Sequence, residues 1–270
     1  MKRVKLKVAY DGTAYCGWQV QDNGETIEGV LNRELSRLLK EDIHVIGASR
    51  TDSGVHSLGN VCVFDTETRI PAEKIVYAIN QRLPLDIRVI ESTEVSPEFH
   101  PRHCRSVKTY EYRIWNDKVM NPIMRLYTKF CYYPIDVEKM RRAAKCLEGE
   151  HDFKSFCSVN TVVKSTVRTI YKIDIEKEGC LITIRIKGNG FLYNMVRIIA
   201  GSLLNVGMNL KKEESIKEML EACDRQAAGP TAEACGLTMI GLQYIDGDDK
   251  AINSAQINHK NDIDTPDNVV

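Results

Sequence analysis

The sequence predicts an α+β fold in which two mixed α/β halves carry antiparallel sheets that form a central cleft. Segments with the two-residue period of strands occur in pairs between helical segments, not in strict strand–helix alternation. The same pattern occurs on both sides of an interruption at residues 100–106. The chain has 270 residues, 43% of them hydrophobic, so it can bury a core and is not of disordered composition.

The N-terminal half is predicted to contain four strands and two helices. The first strand alternates basic residues with Val4, Leu6 and Val8. The first helix has an apolar stripe on one face and begins after a good N-cap residue, Thr26. The predicted segments are strand 3–10, helix 26–40, strands 43–48 and 60–64, helix 71–83 and strand 87–90.

The C-terminal half is predicted to contain four strands and three helices. Its central hairpin is indicated by the turn sequence Lys177-Glu178-Gly179 between two strand patterns. The predicted segments are strand 107–115, helix 137–147, strands 168–176 and 181–187, helices 192–204 and 213–223, and strand 238–245.

We expect two domains, residues 1–105 and 106–245, followed by a polar tail at 246–270. The tail holds six Asp and two Lys, a net charge of −4, so residues 1–245 carry +4 because the whole chain sums to zero. Without an apolar period, the tail is predicted to lie outside the folded body and to be disordered. The mildly basic body is compatible with a nucleic-acid partner.

Several classes of protein are excluded or disfavoured by the sequence. No apolar run is long enough for a membrane helix or a signal peptide, and the nine cysteines form no CxxC pair, so we expect a cytoplasmic chain. Gly188 and Gly190 lack the third glycine of a dinucleotide-binding turn. His100 and His103 lack the further ligands of a zinc site. We therefore expect neither a nicotinamide cofactor nor a metal.

The first candidate for catalysis is the polar loop of residues 47–56, GASRTDSGVH, which follows an apolar strand pattern. Its carboxylate, Asp52, lies between Arg50 and His56 in sequence, and a neighbouring cation keeps an acid ionised. An ionised carboxylate can serve as a nucleophile or a base. The alternative is an ordinary turn of Asp-Ser-Gly type.

The second candidate is the strand segment KTYEYR at residues 108–113. Alternation places Lys108, Tyr110 and Tyr112 on one face. Aromatic rings beside cations on a strand face are typical of proteins that stack an RNA base. The alternative is a solvent-facing stripe of tyrosines that only pack against their neighbours.

The third candidate is the segment KGNGFLYNMVR at residues 187–197, where a glycine turn leads into a helix. Arg197 lies among apolar helix residues, and a buried arginine needs a carboxylate partner. We consider Asp52 as that partner.

The chain resembles the tRNA pseudouridine synthase A family from about residue 4 to about residue 244. Four segments occur in the family's order: AYDGT with GWQ at residues 9–19, RTDSGVH at 50–56, KTYEYR at 108–113 and FLYNMVR at 191–197. The resemblance implies ferredoxin-like or RRM-like halves and a homodimer without cofactor or metal. It further implies isomerisation of uridine to pseudouridine in tRNA, at positions 38, 39 and/or 40 of the anticodon stem-loop.

The resemblance also implies roles for five residues. Asp52 would be the catalytic aspartate, and Arg197 would pair with it and hold it ionised. Tyr110 would stack on the target base, and Leu237 would pack near it. Arg50 would contact the RNA and help to hold the target nucleotide out of the stack. Ser49, Ser53 and Cys16 depart from the family's usual residues, a difference that concerns the choice of uridine.

Two alternatives remain open at the level of sequence. A nucleoside or glycoside hydrolase would also use an aspartate at the anomeric carbon, but it usually needs a second carboxylate. A catalytically silent RNA-binding protein would use Tyr110 and the basic residues without chemistry at Asp52.

Overall fold

One mixed sheet passes through the whole fold in the computed structural model, which describes residues 1–159 and 163–245. Within these ranges the sheet has ten strands: β1 (Lys2–Tyr10), β2 (Ile46–Gly47), β3 (His56–Thr66), β4 (Ile87–Val95), β5 (Ser106–Asn116), β6 (Lys129–Cys131), β7 (Gly149–Asp152), β8 (Val167–Glu178), β9 (Leu181–Gly188) and β10 (Leu237–Tyr244). The α-helices are α1 (Ile27–Leu39), α2 (Ala72–Asn80), α3 (Val137–Ala144), α4 (Met195–Gly207) and α5 (Ser215–Ala222).

The last strand, β10, joins the two halves of the sheet. The strand order is β4-β1-β3-β10-β5-β9-β8-β7, with β2 also on β3 and β6 also on β5. β10 pairs parallel with β3 through Thr238 and Met239, and antiparallel with β5 along its whole length. All other pairs except β5 with β6 are antiparallel. The α+β prediction is confirmed, and the two expected sheets are one continuous sheet.

Apolar side chains form two main clusters among the described residues, one mainly in the N-terminal half of the chain and one mainly in the C-terminal half. The first packs α1 and α2 against β1, β3 and β4, and the alternating residues Val4, Leu6 and Val8 of β1 are fully buried in it. The second packs α3, α4 and α5 against β5, β8 and β9. Thr26 caps α1 as predicted, because its hydroxyl accepts from the Gly29 amide at 3.2 Å.

The structure differs from the prediction where tertiary contacts compete with the strand pattern. The predicted strand 43–48 is wrong for most of its length, since only Ile46–Gly47 pairs with β3. The amides of Ile43 and Val45 donate instead to Ser36 and Asn32 of α1, at 2.9 and 2.8 Å. The predicted helix 137–147 ends at Ala144 and continues as a 3-10 turn to Leu147. The short strands β6 and β7 show no alternation and were not predicted.

The division into domains 1–105 and 106–245 stays a prediction. It falls between β4 and β5, and the two apolar clusters lie on either side of it except for Val55, which joins the second. The tail at 246–270 lies outside the described residues. In the part of the chain that is described, no helix has the length and apolar character needed to cross a membrane.

Candidate active site

A cavity of about 1060 Å³ opens where the two halves of the sheet meet. It is lined by the loop after β2, by the start of β5, by the first residue of β10 and by the turn that leads into α4. Four of the five predicted site residues line it: Arg50, Asp52, Tyr110 and Leu237. The fifth, Arg197, contacts Asp52 from α4.

The segment after β1 holds the Asp52 loop in place. The Trp18 amide donates to the Thr51 carbonyl at 3.0 Å, and the Tyr10 and Thr51 hydroxyls are hydrogen bonded at 2.9 Å. Gly17 has a φ of +85°, and a Cβ there would lie 2.5 Å from the Thr51 carbonyl oxygen. The glycine is therefore required both by its backbone conformation and by the close approach of the loop.

Asp52 and Arg197 form an ion pair that is mostly withdrawn from solvent. Nη1 of Arg197 lies 3.1 Å from Oδ2 of Asp52, and the two side chains are 17% and 18% exposed. The same Nη1 donates to Oδ1 of Asn194 at 2.9 Å, while Nε donates to the Ala232 carbonyl at 2.7 Å. Three acceptors thus fix the guanidinium, and through it the carboxylate.

The pKa of Asp52 is raised above its ordinary value because burial disfavours the charged form. The charge of Arg197 and its hydrogen bond lower that pKa and offset part of the effect. The expectation that the flanking residues Arg50 and His56 keep Asp52 ionised was wrong, because the cation that lowers its pKa is Arg197. Arg50 is exposed, and His56 is buried with Nδ1 accepting from the Gly12 amide at 3.1 Å.

Tyr110 is buried at the floor of the cavity. Its side chain is only 7% exposed, and its ring packs edge-to-face against Phe191 with centroids 5.1 Å apart. Burial raises the pKa of its hydroxyl, so the group stays protonated at neutral pH. Tyr112 is fully buried on the same strand face and donates to the Glu233 carbonyl at 2.9 Å. Tyr110 and Tyr112 are therefore buried, and the alternative of a solvent-facing stripe of tyrosines is wrong.

Leu237 and Arg50 both line the cavity but differ in their exposure to solvent. Leu237 is buried as the first residue of β10, directly across from Tyr112 in the register with β5. Arg50 is exposed at the mouth. An apolar wall beside a buried aromatic floor suits a planar base, and an exposed arginine suits the charged backbone that carries it.

Several lining residues were not singled out as site residues from the sequence. Lys108 and Phe191 belong to the segments at residues 108–113 and 187–197, and both line the cavity, where the Phe191 ring packs against Tyr110. Arg102 follows β4, and Arg168 lies on β8, with no local pattern that marks either. Strand pairing alone brings Arg168 to the cavity, and sequence spacing does not reveal that.

The His100-x-x-His103-Cys104 segment forms a stacked pair of rings. The imidazole centroids of His100 and His103 are 3.8 Å apart with an interplanar angle of 13°. Across residues 1–159 and 163–245, no three His, Cys, Asp or Glu side chains are grouped so that they could hold a metal ion.

Comparison with known proteins decides the family. The family described as tRNA pseudouridine synthase matches residues 7–103 and 143–244. The chain belongs to the tRNA pseudouridine synthase family. The predicted resemblance is confirmed, and the chain is an isomerase of tRNA processing that converts uridine to pseudouridine.

The relatives match along their full or nearly full length. Two proteins named tRNA pseudouridine synthase A, from Thermoanaerobacter sp. (strain X514) and Brevibacillus brevis, are each 45% identical over 244 residues, which are 90% of this chain and all of the relative. The protein of that name from Halalkalibacterium halodurans is 44% identical over 238 residues, or 88% of this chain and 90% of the relative.

Replacing Arg197 is expected to shift the pH dependence of the reaction. Arg197→Gln removes the charge that lowers the pKa of Asp52, so that pKa rises further and the acid limb of kcat/KM moves to higher pH by about one unit or more. We also expect kcat/KM at neutral pH to fall on the order of 100-fold.

The measurement is the pH–rate profile of pseudouridine formation for the wild type, Arg197→Gln and Arg197→Lys. The lysine variant keeps a cation and should leave the acid limb closer to that of the wild type. An acid limb that does not move in Arg197→Gln would contradict electrostatic coupling between the two groups.

Proposed function

We propose that Asp52 is the catalytic aspartate and that it acts on the ribose of a uridine flipped out of the tRNA anticodon arm, at position 38, 39 or 40. One observation carries the proposal. Among the described residues that line the cavity, Asp52 is the only acid, and it is held against Arg197 beside a buried aromatic ring. A base in a helical stem must leave the stack before its glycosidic bond can be reached.

The remaining site residues have roles that follow from their surroundings. Tyr110 stacks on the detached uracil from the floor, and Leu237 packs against its edge. Arg50 contacts the RNA backbone at the mouth, where an exposed cation keeps its freedom to move. Arg197 does not line the cavity and acts through Asp52, so it is a positioning residue.

The reaction is a rearrangement, and its atoms balance without a co-substrate. The bond between N1 and the ribose C1′ breaks, the uracil rotates and C5 bonds to C1′. The proton on C5 is then lost, and N1 gains one, so the base has the same composition before and after. Asp52 can begin this sequence by attack at C1′ or by removal of a ribose proton. Both routes require the carboxylate to be ionised, and a carboxylate with a raised pKa is the stronger base or nucleophile once it is ionised.

The charge of the cavity supports an RNA substrate and disfavours a hydrolase. Four cations line it: Arg50, Arg102, Lys108 and Arg168. Within the described residues of the lining, no second carboxylate accompanies Asp52, and glycoside hydrolysis in its common form needs a pair. An isomerase retains the uracil in the site, so free uracil is not expected as a product.

Replacing Asp52 tests the proposed chemistry. Purified wild type should form pseudouridine in the anticodon arm of an unmodified tRNA transcript, without added metal or nucleotide. In Asp52→Ala the rate should fall by at least about 1000-fold, because the only acid among the described lining residues is lost. The affinity for tRNA should change by less than about threefold, because Arg50 and the other cations remain.

Chemical labelling and reverse-transcription stops locate the product, and filter binding measures the affinity. Asp42→Ala is the matched control, since the Asp42 side chain is 90% exposed and does not line the cavity. Pseudouridine formation that survives in Asp52→Ala would refute the catalytic assignment. Product outside the anticodon arm would refute the assigned positions.

We also propose the homodimer that the resemblance implies. Support comes from Val119, Ile123, Tyr132 and Tyr133, large apolar or aromatic side chains that are 59–79% exposed in the segment between β5 and α3. Sedimentation equilibrium should give about twice the chain mass of 30.6 kDa, and a monomer at micromolar concentration would contradict the proposal. We likewise propose a cytoplasmic location, where tRNA substrates are available.

A further inference from the structure

Three cations converge on the side of the cavity where the Asp52 loop begins. Nε of Arg102 donates to the Gly47 carbonyl at 2.8 Å, and Nζ of Lys108 donates to the Ala48 carbonyl at 3.1 Å. Arg168 lines the same cavity from β8 and acts electrostatically on Lys108. We call Arg102, Lys108 and Arg168 the cation cluster.

Among the described residues that line the cavity, no acid is paired with the cluster. Arg102 and Lys108 donate to backbone carbonyls of the loop, and Asp52, the only acid among the described lining residues, is paired with Arg197. Lys108 and Arg168 are partly desolvated, whereas Arg102 is exposed. Like charges held close together repel one another, and such an arrangement is stabilised when an anion binds. The cluster is thus an anion site by its charge and its position.

We propose that the cation cluster binds one backbone phosphate of the substrate RNA, next to the target uridine. This inference rests on the proposed function, because it takes the polyanion in the cavity to be the tRNA. Ala48 and Asp52 are four residues apart, so their Cα atoms are separated by at most about 14 Å. A phosphate held over Ala48 therefore belongs to the target nucleotide or to an immediate neighbour.

Guanidinium groups and an ammonium group suit this ligand in different ways. Arg102 and Arg168 can offer a planar fork to phosphate oxygens, whereas Lys108 supplies a compact charge from the cavity wall. The position of Lys108 is fixed by β5, two residues before Tyr110 on the same strand face. The phosphate and the stacked base would therefore be positioned by one rigid strand.

Lys108 gives this site a distinctive dependence on pH. Burial lowers its pKa to about 8, with smaller contributions from Arg102 and Arg168. The strands on either side place Gly188 and Leu242 opposite Lys108, and neither residue titrates. The nearest ionisable group on its own strand face is Tyr110, whose pKa is raised.

A bound phosphate stabilises the charged form of Lys108, so RNA binding should take up a proton when the free lysine is partly neutral. The affinity of the wild type should therefore fall as the pH rises from about 7 to about 9. Lys108→Arg keeps its charge throughout this range and should bind with little dependence on pH.

The test compares wild type, Lys108→Met, Lys108→Arg and Lys187→Met, using an anticodon stem-loop RNA for binding and a tRNA transcript for turnover. Lys108→Met should weaken RNA binding and raise KM about tenfold, with kcat within about twofold of the wild type. A plot of log affinity against log salt concentration has a negative slope, and its magnitude should be smaller by about 0.7 in Lys108→Met.

Lys187→Met is the matched control. Lys187 is exposed on β9, one residue from the Gly188 that pairs with Lys108, and it projects from the opposite face of the sheet. Its removal should leave KM and affinity unchanged. Equal losses in the two variants would overturn the proposal, because they would report only the general charge of the chain.

A second experiment identifies the phosphate and does not depend on the stability of the variants. Each linkage that flanks the target uridine is replaced in turn by an uncharged methylphosphonate. At one linkage the wild type should lose about tenfold in affinity, and Lys108→Met should lose clearly less, because only Arg102 and Arg168 remain to contact that phosphate. Equal losses for wild type and Lys108→Met at every linkage would overturn the assignment.

The outcome for this inference is separable from the outcome for the proposed function. If the wild type forms pseudouridine in the anticodon arm but Lys108→Met shows unchanged KM and affinity, the phosphate site is refuted and the proposed function stands. If the wild type forms no pseudouridine, the proposed function fails, and the binding of the stem-loop by wild type and Lys108→Met still decides the phosphate site.

Discussion

The ion pair between Asp52 and Arg197 is the interaction on which the site depends. It joins a loop of the N-terminal half to helix α4 of the C-terminal half, 145 positions later in the chain. The pair is mostly withdrawn from solvent, so separating its charges would leave each of them without its partner, and the two halves must keep the pair together. The single sheet provides that constraint, because β10 pairs with β3 on one side and β5 on the other.

The pair also explains why an ordinary carboxylate can become reactive. Burial raises the pKa of Asp52, while Arg197 limits the rise and keeps the ionised form accessible. Arg197 is itself fixed by Asn194 and Ala232, and the loop of Asp52 is fixed by the segment after β1. Groups held this rigidly lose little entropy when a substrate binds, which the proposed role of Asp52 requires. The cation cluster lies at the beginning of the same loop, so the proposed phosphate site and the proposed catalytic group share one support.

Local pattern was enough to predict the α+β class, most helices and strands, and the loop of Asp52. The contact between Asp52 and Arg197 could also be inferred, since an arginine among apolar helix residues needs an acid. Pattern failed where pairing over long distances decides the structure. The short strands β6 and β7 have no alternation of their own. In the segment 43–48, the amides of Ile43 and Val45 donate to side chains of α1 and not to a neighbouring strand. Arg168 reaches the cavity only because β8 pairs with β9, which no local pattern reveals.

The most direct test of this account is the titration of the Asp52 carboxyl group in the free protein. Carbon-13 NMR of aspartate-labelled protein, with the signal assigned by its loss in Asp52→Asn, reports that pKa without substrate. The account predicts a midpoint above the ordinary value of 3.8, because burial outweighs the charge of Arg197. A midpoint at or below that value would contradict it, since Arg197 would then dominate and Asp52 would be an unactivated carboxylate.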